Sequence, residues 1–204
     1  MAPPRAKRAF DVAVSGSLLV ALAPVYAVAI GVVAVDMLRC PRDRGPLLYR
    51  EPRISAGRTF QLLKLRAVRE DVLVHAAGHV RPFEADVANL TWAGRRLLKP
   101  LYLDELPQLV NVLRGEMSLV GPRPWPEELV RRQVERGVDY RLRVPAGGTG
   151  PAQVTKGREA QFEQLDLEYV EALEHESGWQ IMRRDAGILR QTVATMLRGE
   201  GLAY

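Results

Sequence analysis

Hydrophobic and polar positions divide the chain into one long apolar segment and a series of shorter amphipathic ones. From Val12 to Val35, VAVSGSLLVALAPVYAVAIGVVAV carries no charge. As a straight helix it would be about 36 Å long, enough to cross the hydrocarbon core of a bilayer. The apolar region of a cleavable signal peptide is shorter, about 7–15 residues, and a soluble core helix of this length would be unusual. Pro24 interrupts the run, where it removes a hydrogen bond and kinks a helix. Ser15 and Ser17 lie upstream and can bond backbone groups. Both flanks are basic, with Arg5, Lys7 and Arg8 before the run and Arg39, Arg42, Arg44, Arg50 and Arg53 after it. The positive-inside rule therefore finds no asymmetry. The two basic flanks favour a re-entrant hairpin that enters the membrane, breaks at Pro24 and leaves on the same side, over a straight span.

Beyond this segment, Pro41 to Gly45 reads as a turn. LLYREPRI and TFQLLKLRAV read as two short strands around the turn Ser55-Ala56-Gly57. Asp71 to Leu90 has no clear periodicity. Glu127 to Gly137 reads as a charged helix, and VPAGGTGPAQV, Val144 to Val154, as a glycine-rich loop. A helix is expected from Phe162 to about Leu173. The last runs from about Trp179 to Leu197, with Ile181, Ile188, Leu189, Thr192, Val193 and Met196 on one face. Arg183, Arg184, Arg190 and Arg198 lie along it. A basic amphipathic helix beside a membrane segment suits attachment to a membrane surface, and a solvated arginine face over a core-facing stripe fits the pattern equally.

LDELPQLVNVLRG, Leu103 to Gly115, is the most informative stretch. Leu106, Leu109, Val110 and Leu113 recur at the spacing of an amphipathic helix. Asp104 can serve as N-cap, Pro107 is tolerated in the first turn, and Gly115 suits the C′ position. Acids at a helix start are ordinary, because they complement its dipole. The same place keeps a carboxylate ionised and its free N–H groups attract phosphate. Taken alone, this stretch favours the capping role over catalysis.

Composition narrows the partners. The formal net charge is +5 over 204 residues, which suits an anionic partner such as nucleic acid, phospholipid or a phosphorylated substrate. Only 6% of residues are aromatic, so stacking platforms for single-stranded nucleic acid are not suggested. A single cysteine, Cys40, excludes an internal disulfide and a cysteine zinc cluster. GPRP, Gly121 to Pro124, places Arg123 between two prolines, a setting that suits bidentate phosphate recognition. Lys64 and Arg66 alternate with Leu63 and Leu65, so both point to one face of a strand. Gly147, Gly148 and Gly150 around Thr149 allow backbone N–H groups to approach an anion, and Gly157-Arg158 supplies another cation.

In their order, these segments carry a resemblance. KRAFDVAVSGSLLVALAP, LLYREPRISAGRTFQLLKLR, LDELPQLVNVLRGEMSLVGPRP, TGPAQV and Gly157-Arg158 resemble the bacterial sugar transferase family, the polyprenyl-phosphate sugar-1-phosphate transferases or monotopic phosphoglycosyl transferases, in a minimal form. The resemblance covers nearly the whole chain, and the run from Leu103 to Pro124 is its most specific part. It implies a mostly helical α+β fold with an N-terminal re-entrant membrane helix hairpin, a small β-hairpin or sheet, and interfacial amphipathic helices around the site. Residues 1–40 would be membrane-inserted and 41–204 a cytosolic catalytic domain, on the cytoplasmic face of a bacterial inner membrane.

The resemblance also implies the chemistry. Asp104 would be the nucleophile and Glu105 its catalytic partner, the ligand of a Mg²⁺. Lys64, Arg66, Lys99, Arg123 and Arg158 would bind substrate. The donor would be a nucleoside diphosphate sugar, most often a UDP-sugar. Asp104 would take the sugar-1-phosphate with release of the nucleoside monophosphate, UMP, and pass it to a polyprenyl phosphate such as undecaprenyl phosphate. Membrane phospholipid is the other expected partner. Downstream glycosyltransferases and a second copy of the chain are left open, and nucleic acid is not expected. An alternative of another class is a non-catalytic membrane scaffold of the same fold.

Four places depart from the family's usual pattern. The basic strand KFRTM is here KLRAV, Lys64 to Val68. The arginine commonly found five residues before the nucleophile is Lys99, which keeps the charge but loses the fork. The loop PGxTG is PAGGTG, and the asparagine-glycine-arginine ending is Thr155-Lys156-Gly157-Arg158. His75 and His79 share a helical spacing, but no third ligand accompanies them and a packing or solvated role is favoured. Cys40 beside the membrane segment could be acylated; an inert thiol is favoured.

Overall fold

The computed structural model describes residues 3–75, 80–155 and 161–198. It is α+β and mostly helical, with two small two-stranded sheets. The chain forms two compact units. One comprises residues 1–16, 53–60 and 111–204, the other 17–52 and 61–110. The boundary expected near residue 40 concerns membrane insertion, and the compact units divide the chain elsewhere.

Two helices, α1 (Arg5–Ala21) and α2 (Ala23–Arg39), replace the single apolar segment and bend by 58° at the break between them. Pro24 sits in the first turn of α2. It has no N–H to give to the carbonyl of Val20, and its ring crowds that carbonyl, so the ladder cannot run through. Among the described residues no single helix is long and apolar enough to cross a membrane. The end of α1 and most of α2 leave Leu18, Val20, Val25, Val28, Ile30, Val35 and Leu38 exposed, Val20 to 78% and Leu38 to 75%. The serines do not play the expected part. Ser17 is exposed, and the buried Ser15 hydroxyl has no hydrogen-bond partner among the described residues.

In the second unit, Ala29, Val33 and Asp36 form the buried stripe of α2. Ala29 and Val33 join Leu65, Ala67, Ala93 and Leu98 in an apolar core against which Tyr26, Met37 and Leu103 pack. Strands β1 (Leu48–Ser55) and β2 (Arg58–Leu65) form the expected hairpin. Its two turn residues, Ala56 at φ 48° and Gly57 at φ 73°, both lie in the left-handed region, the signature of a type I′ turn whose twist matches the strands. The segment without periodicity resolves into α3 (Glu70–Leu73), α4 (Arg81–Glu84) and a 3₁₀ turn, Val87–Asn89. Val68 and Val80 hold it together, with Tyr49, Val72, Leu73, Phe83 and Leu90 packed on them. His79 lies outside the described residues, so the His75–His79 pairing is left where the sequence put it.

Helix α5 (Gln108–Arg114) begins three residues later than an N-cap at Asp104 predicts. Gln108, Asn111 and Val112 are buried, whereas Leu106, Leu109, Val110 and Leu113 are half-buried. The apolar stripe is thus not the core face. Gly115, at φ 77°, takes the expected C′ position.

In the first unit, β3 (Ser118–Val120), α6 (Glu127–Glu135), α7 (Tyr140–Arg143), β4 (Gly147–Thr149), α8 (Pro151–Val154), α9 (Phe162–His175) and α10 (Gly178–Leu197) surround a core that includes Met117, Val120, Tyr140, Tyr169, Val170, Ile181 and Ile188. Residues 147–149, expected as loop, pair in parallel with β3, Ser118 opposite Gly147 and Val120 opposite Thr149. Glycine permits this. A Cβ on Gly147 would lie 2.1 Å from the backbone nitrogen of Gly121, and one on Gly150 would lie 2.3 Å from the Gly121 carbonyl oxygen. The glycines serve backbone packing, and the Gly147 N–H is committed to the Pro122 carbonyl at 2.8 Å.

The start of α1 is anchored in this unit by a polar stripe. The Lys7 ammonium lies 2.5 Å from Asp185 of α10 and 3.2 Å from the Val120 carbonyl oxygen. Asp11 accepts from the Ser118 hydroxyl at 2.8 Å and from the Leu119 N–H at 3.2 Å. Arg8 donates to the last carbonyls of α5, those of Val112 and Leu113. Residues that look like a basic membrane flank are therefore partly buried structural bonds. On α10, capped by Ser177 with Gln180 in a capping box, Ile181, Asp185, Ile188, Thr192 and Thr195 face inward. Val193, expected on the core face, is exposed.

Candidate active site

The dyad stands on a short irregular path rather than on a helix start. A π-helical turn, Gly94–Leu98, follows the Val87–Asn89 turn in the second unit. Its start is capped by side-chain oxygens: Asp43 accepts from the Trp92 N–H, Asp36 from the Ala93 N–H and Thr91 from the Gly94 N–H, at 2.8–3.0 Å. Gly94 is needed there, because a Cβ would come within 2.1 Å of the Ala67 carbonyl oxygen. The turn ends at Lys99. Tyr102 then adopts φ 54°, ψ 23°, a left-handed conformation uncommon for a bulky side chain, and a 3₁₀ turn, Leu103–Glu105, carries the two acids. Asp104 lies within this turn, ahead of α5 (Gln108–Arg114), and so does not stand at the N-cap position expected from the sequence.

Asp104 is 2% exposed. Its carboxylate accepts from the Lys99 ammonium at 2.8 Å, and the same ammonium lies 2.7 Å from the Glu84 carboxylate. Burial pushes the Asp104 pKa up, Lys99 pulls it back, adjacent Glu105 raises it again, and Lys64 opposes from further away; the balance is upward. For Lys99, burial works against the ammonium, but Asp104 and then Glu84 outweigh it and hold the pKa above the ordinary lysine value. Lys64, buried on β2, pairs with the buried Glu51 of β1 at 3.3 Å. Two ammonium groups, each backed by a further carboxylate, thus act on Asp104. Glu84 lies in none of the segments that carry the family resemblance, and Glu51, though within LLYREPRI, was not singled out there. Lys99 was marked only by its place relative to the acids.

Arg66 belongs to the same unit but is otherwise occupied. It is 2% exposed, and its guanidinium donates to the carbonyls of Pro46, Val68 and Asp43. It ties the end of β2 to the turn after α2. The shared face with Lys64, expected from strand alternation, ends with β2 at Leu65. Arg123 lies in the first unit, half-buried after β3. Its carbonyl accepts from Arg141, whose guanidinium also stacks 3.9 Å from the ring centre of Trp125 and bonds Gln133 and Asp166. The loop that bears Arg123 is therefore held from beneath by a buried cation. Arg158 lies outside the described residues.

A cluster of three possible metal-ligating side chains, Asp36, Cys40 and Asp43, occurs in the second unit. Both of its acids cap the turn described above, and neither belongs to the dyad. The dyad itself offers hard oxygen donors. Mg²⁺ is commonly held by one or two carboxylates with substrate phosphates and water completing its shell, so the donor chemistry of Asp104 and Glu105 fits it.

Comparison with known proteins supplies the family. The sequence model described as bacterial sugar transferase matches residues 3–199. An undecaprenyl-phosphate glucose phosphotransferase of Komagataeibacter xylinus is 37% identical over 81% of this chain and 32% of its own length. The exopolysaccharide production protein ExoY of Sinorhizobium fredii is 33% identical over 76% of this chain and 71% of its own. A UDP-glucose:undecaprenyl-phosphate glucose-1-phosphate transferase of Caulobacter vibrioides is 32% identical over 94% of this chain and 69% of its own. The chain thus spans only about a third of the first of these relatives and about two thirds of the other two. With a family match over nearly its whole length, this chain belongs to the bacterial sugar transferases.

Proposed function

We propose that the chain transfers a sugar-1-phosphate from a UDP-sugar to a polyprenyl phosphate, through a phosphosugar carried on Asp104. The observation that carries this reading is the buried Asp104 carboxylate, bonded to Lys99 at 2.8 Å beside Glu105. A desolvated carboxylate with cations at hand is a competent nucleophile. An Asp104 oxygen forms a bond to the sugar-linked phosphorus as that phosphorus loses its bond to the nucleoside monophosphate oxygen. The nucleotide leaves as UMP without a proton transfer. An oxygen of the polyprenyl phosphate then attacks the same phosphorus, frees the Asp104 carboxylate and yields a polyprenyl-diphosphate-sugar.

Lys64 and Lys99 supply fixed positive charge where phosphoryl oxygens gather, in a site closed enough to water for that charge to count. Glu105 would hold Mg²⁺, which when bound neutralises pyrophosphate charge. Arg66 supports the site by fixing the end of β2. Arg123 and Arg158 are assigned to phosphate recognition on family resemblance. The UDP donor is supported by the name of the Caulobacter relative.

The same reading places the chain at the cytoplasmic face of a bacterial inner membrane. Its support is the 58° break between α1 and α2 and the exposed apolar side chains beyond it. A hairpin that enters and leaves on one side holds the dyad at the interface, where a lipid phosphate lies. The test is release of UMP from a panel of UDP-sugars in the presence of undecaprenyl phosphate. Release that depends on both a UDP-sugar and the lipid supports the reading; no release from any UDP-sugar refutes the donor class.

A further inference from the structure

Glu84 has no place in the reaction just described, yet its carboxylate lies 2.7 Å from the ammonium that bonds the nucleophile. We propose that Glu84 is a positioning residue for phosphosugar transfer, retaining the Lys99 ammonium beside Asp104 while the charge of Asp104 is consumed and restored. The inference rests on Asp104 as nucleophile.

The argument is one of charge. In the resting site Lys99 is shared between two carboxylates, at 2.8 Å and 2.7 Å. When Asp104 bonds to phosphorus, its carboxylate becomes an uncharged acyl oxygen and most of its hold on Lys99 is lost. In that step a UDP-sugar of charge −2 and a carboxylate of −1 give UMP of −2 and an acyl phosphodiester of −1, so charge balances without a proton. Lysine is a compact charge on a flexible four-carbon stem, without the planar fork that fixes an arginine. With Asp104 alone as partner, the ammonium would be released at the moment when the phosphoryl oxygens need it. Glu84 keeps it in place, ready to meet those oxygens and then the restored carboxylate.

The fold holds Glu84 for this role. Its N–H donates to the Val80 carbonyl at 3.2 Å, and Val80 is 1% exposed. Phe83, next to it, packs on the Val68–Val80 cluster, and Asn89 donates to the Phe83 carbonyl at 3.0 Å. Glu84 therefore stands on a short helix fixed by apolar packing within the same unit as the dyad.

The test is a double-mutant cycle on the full chain in detergent or lipid, using the UDP-sugar that labels the wild-type protein in the absence of acceptor. Glu84→Gln should slow single-turnover labelling roughly tenfold, within the range given by coupling of groups in contact. The donor concentration at half-maximal rate should change less than about twofold. In a Lys99→Met background, Glu84→Gln should change the rate by less than about twofold, because its partner is gone. Equal slowing in both backgrounds, no slowing in the wild-type background, or a shift in donor concentration alone would each overturn the inference. Should Glu84→Gln melt early, Glu84→Met, of similar length, takes its place in the cycle. Label on an Asp104→Asn chain, or none on wild type from any UDP-sugar, would instead overturn the covalent reading beneath it and remove this inference with it.

Discussion

The Lys99 ammonium lies 2.8 Å from Asp104, whose side chain is almost wholly buried. A buried carboxylate left without its cation is costly, and a lysine is not interchangeable with an arginine at a forked contact. Lys99→Met should destabilise the chain by about 2 kcal/mol and reduce labelling of Asp104 at least about a hundredfold. Lys99→Arg keeps the charge and should retain measurable labelling, with stability within about 1 kcal/mol. Denaturant unfolding in detergent and acceptor-free labelling measure the two effects; a Met variant as active as wild type would show that the contact is incidental.

Asp104→Asn should abolish turnover while leaving the chain folded and membrane-bound. The amide matches the carboxylate in shape and can still accept from Lys99, but it is no anionic nucleophile. It also escapes the burial that raises the pKa of Asp104, so the net change in stability should stay within about 1 kcal/mol. Mass spectrometry of chain incubated with UDP-sugar should find the adduct at Asp104 in wild type and none in the Asn variant. Near-normal product formation by Asp104→Asn would refute the covalent mechanism. Glu105→Gln should be severely impaired yet not silent.

Helices α1 and α2 part at Leu22 with Pro24 two residues on. Pro24→Leu restores the missing N–H and should let the two helices join, favouring a straight span. With Cys40 replaced by Ser, single cysteines at Arg5 and Arg44 should label from the same side in wild type and from opposite sides in the Leu variant. Same-side labelling in both would show that Pro24 does not set the topology. Opposite-side labelling in wild type would sink the re-entrant hairpin.

Gly94→Ala should be strongly destabilising although alanine is the better helix former. Its Cβ would meet the Ala67 carbonyl oxygen at 2.1 Å, against backbone that cannot yield cheaply. A loss of about 3 kcal/mol is expected, at the upper end for overpacking, together with reduced labelling, since the same turn leads to Lys99. A melting temperature equal to wild type would contradict the close approach.

Asp166 offers a pH signature away from the dyad. Burial pushes its pKa up to about 6, while Arg141 and the Tyr140 hydroxyl oppose the shift. The folded state then holds this proton more tightly than the unfolded chain. The associated stabilisation is complete below about pH 4 and is lost as pH rises through about 6. Relative to Asp166→Asn, which does not titrate, the wild type should lose about 2 kcal/mol between these limits. Unfolding at pH 4, 5, 6 and 7 measures it. A constant difference between the two proteins would place the Asp166 pKa near its unfolded value.

Local rules made much of this chain legible. The apolar run, its proline, the hairpin around Ala56-Gly57 and helices α9 and α10 follow from periodicity and turn chemistry, which act between near neighbours. The family was legible because the motif from Leu103 to Pro124 is contiguous. The tertiary structure decided what distance along the chain conceals. Glu84 and Glu51 reach the site through pairs with Lys99 and Lys64, and no local spacing marks either acid. Lys7 and Arg8 look like a membrane flank but bond to Asp185 and to the Val112 carbonyl, more than a hundred residues away. Arg66 looks like a phosphate ligand until three carbonyls surround it. The strand Gly147–Thr149 exists because two glycine backbones can approach within the space of a Cβ, a condition set by the partner strand. Periodicity reports which side of an element is apolar. Whether a charge binds substrate or structure depends on which other groups share its low-dielectric surroundings, and only the folded chain brings those together.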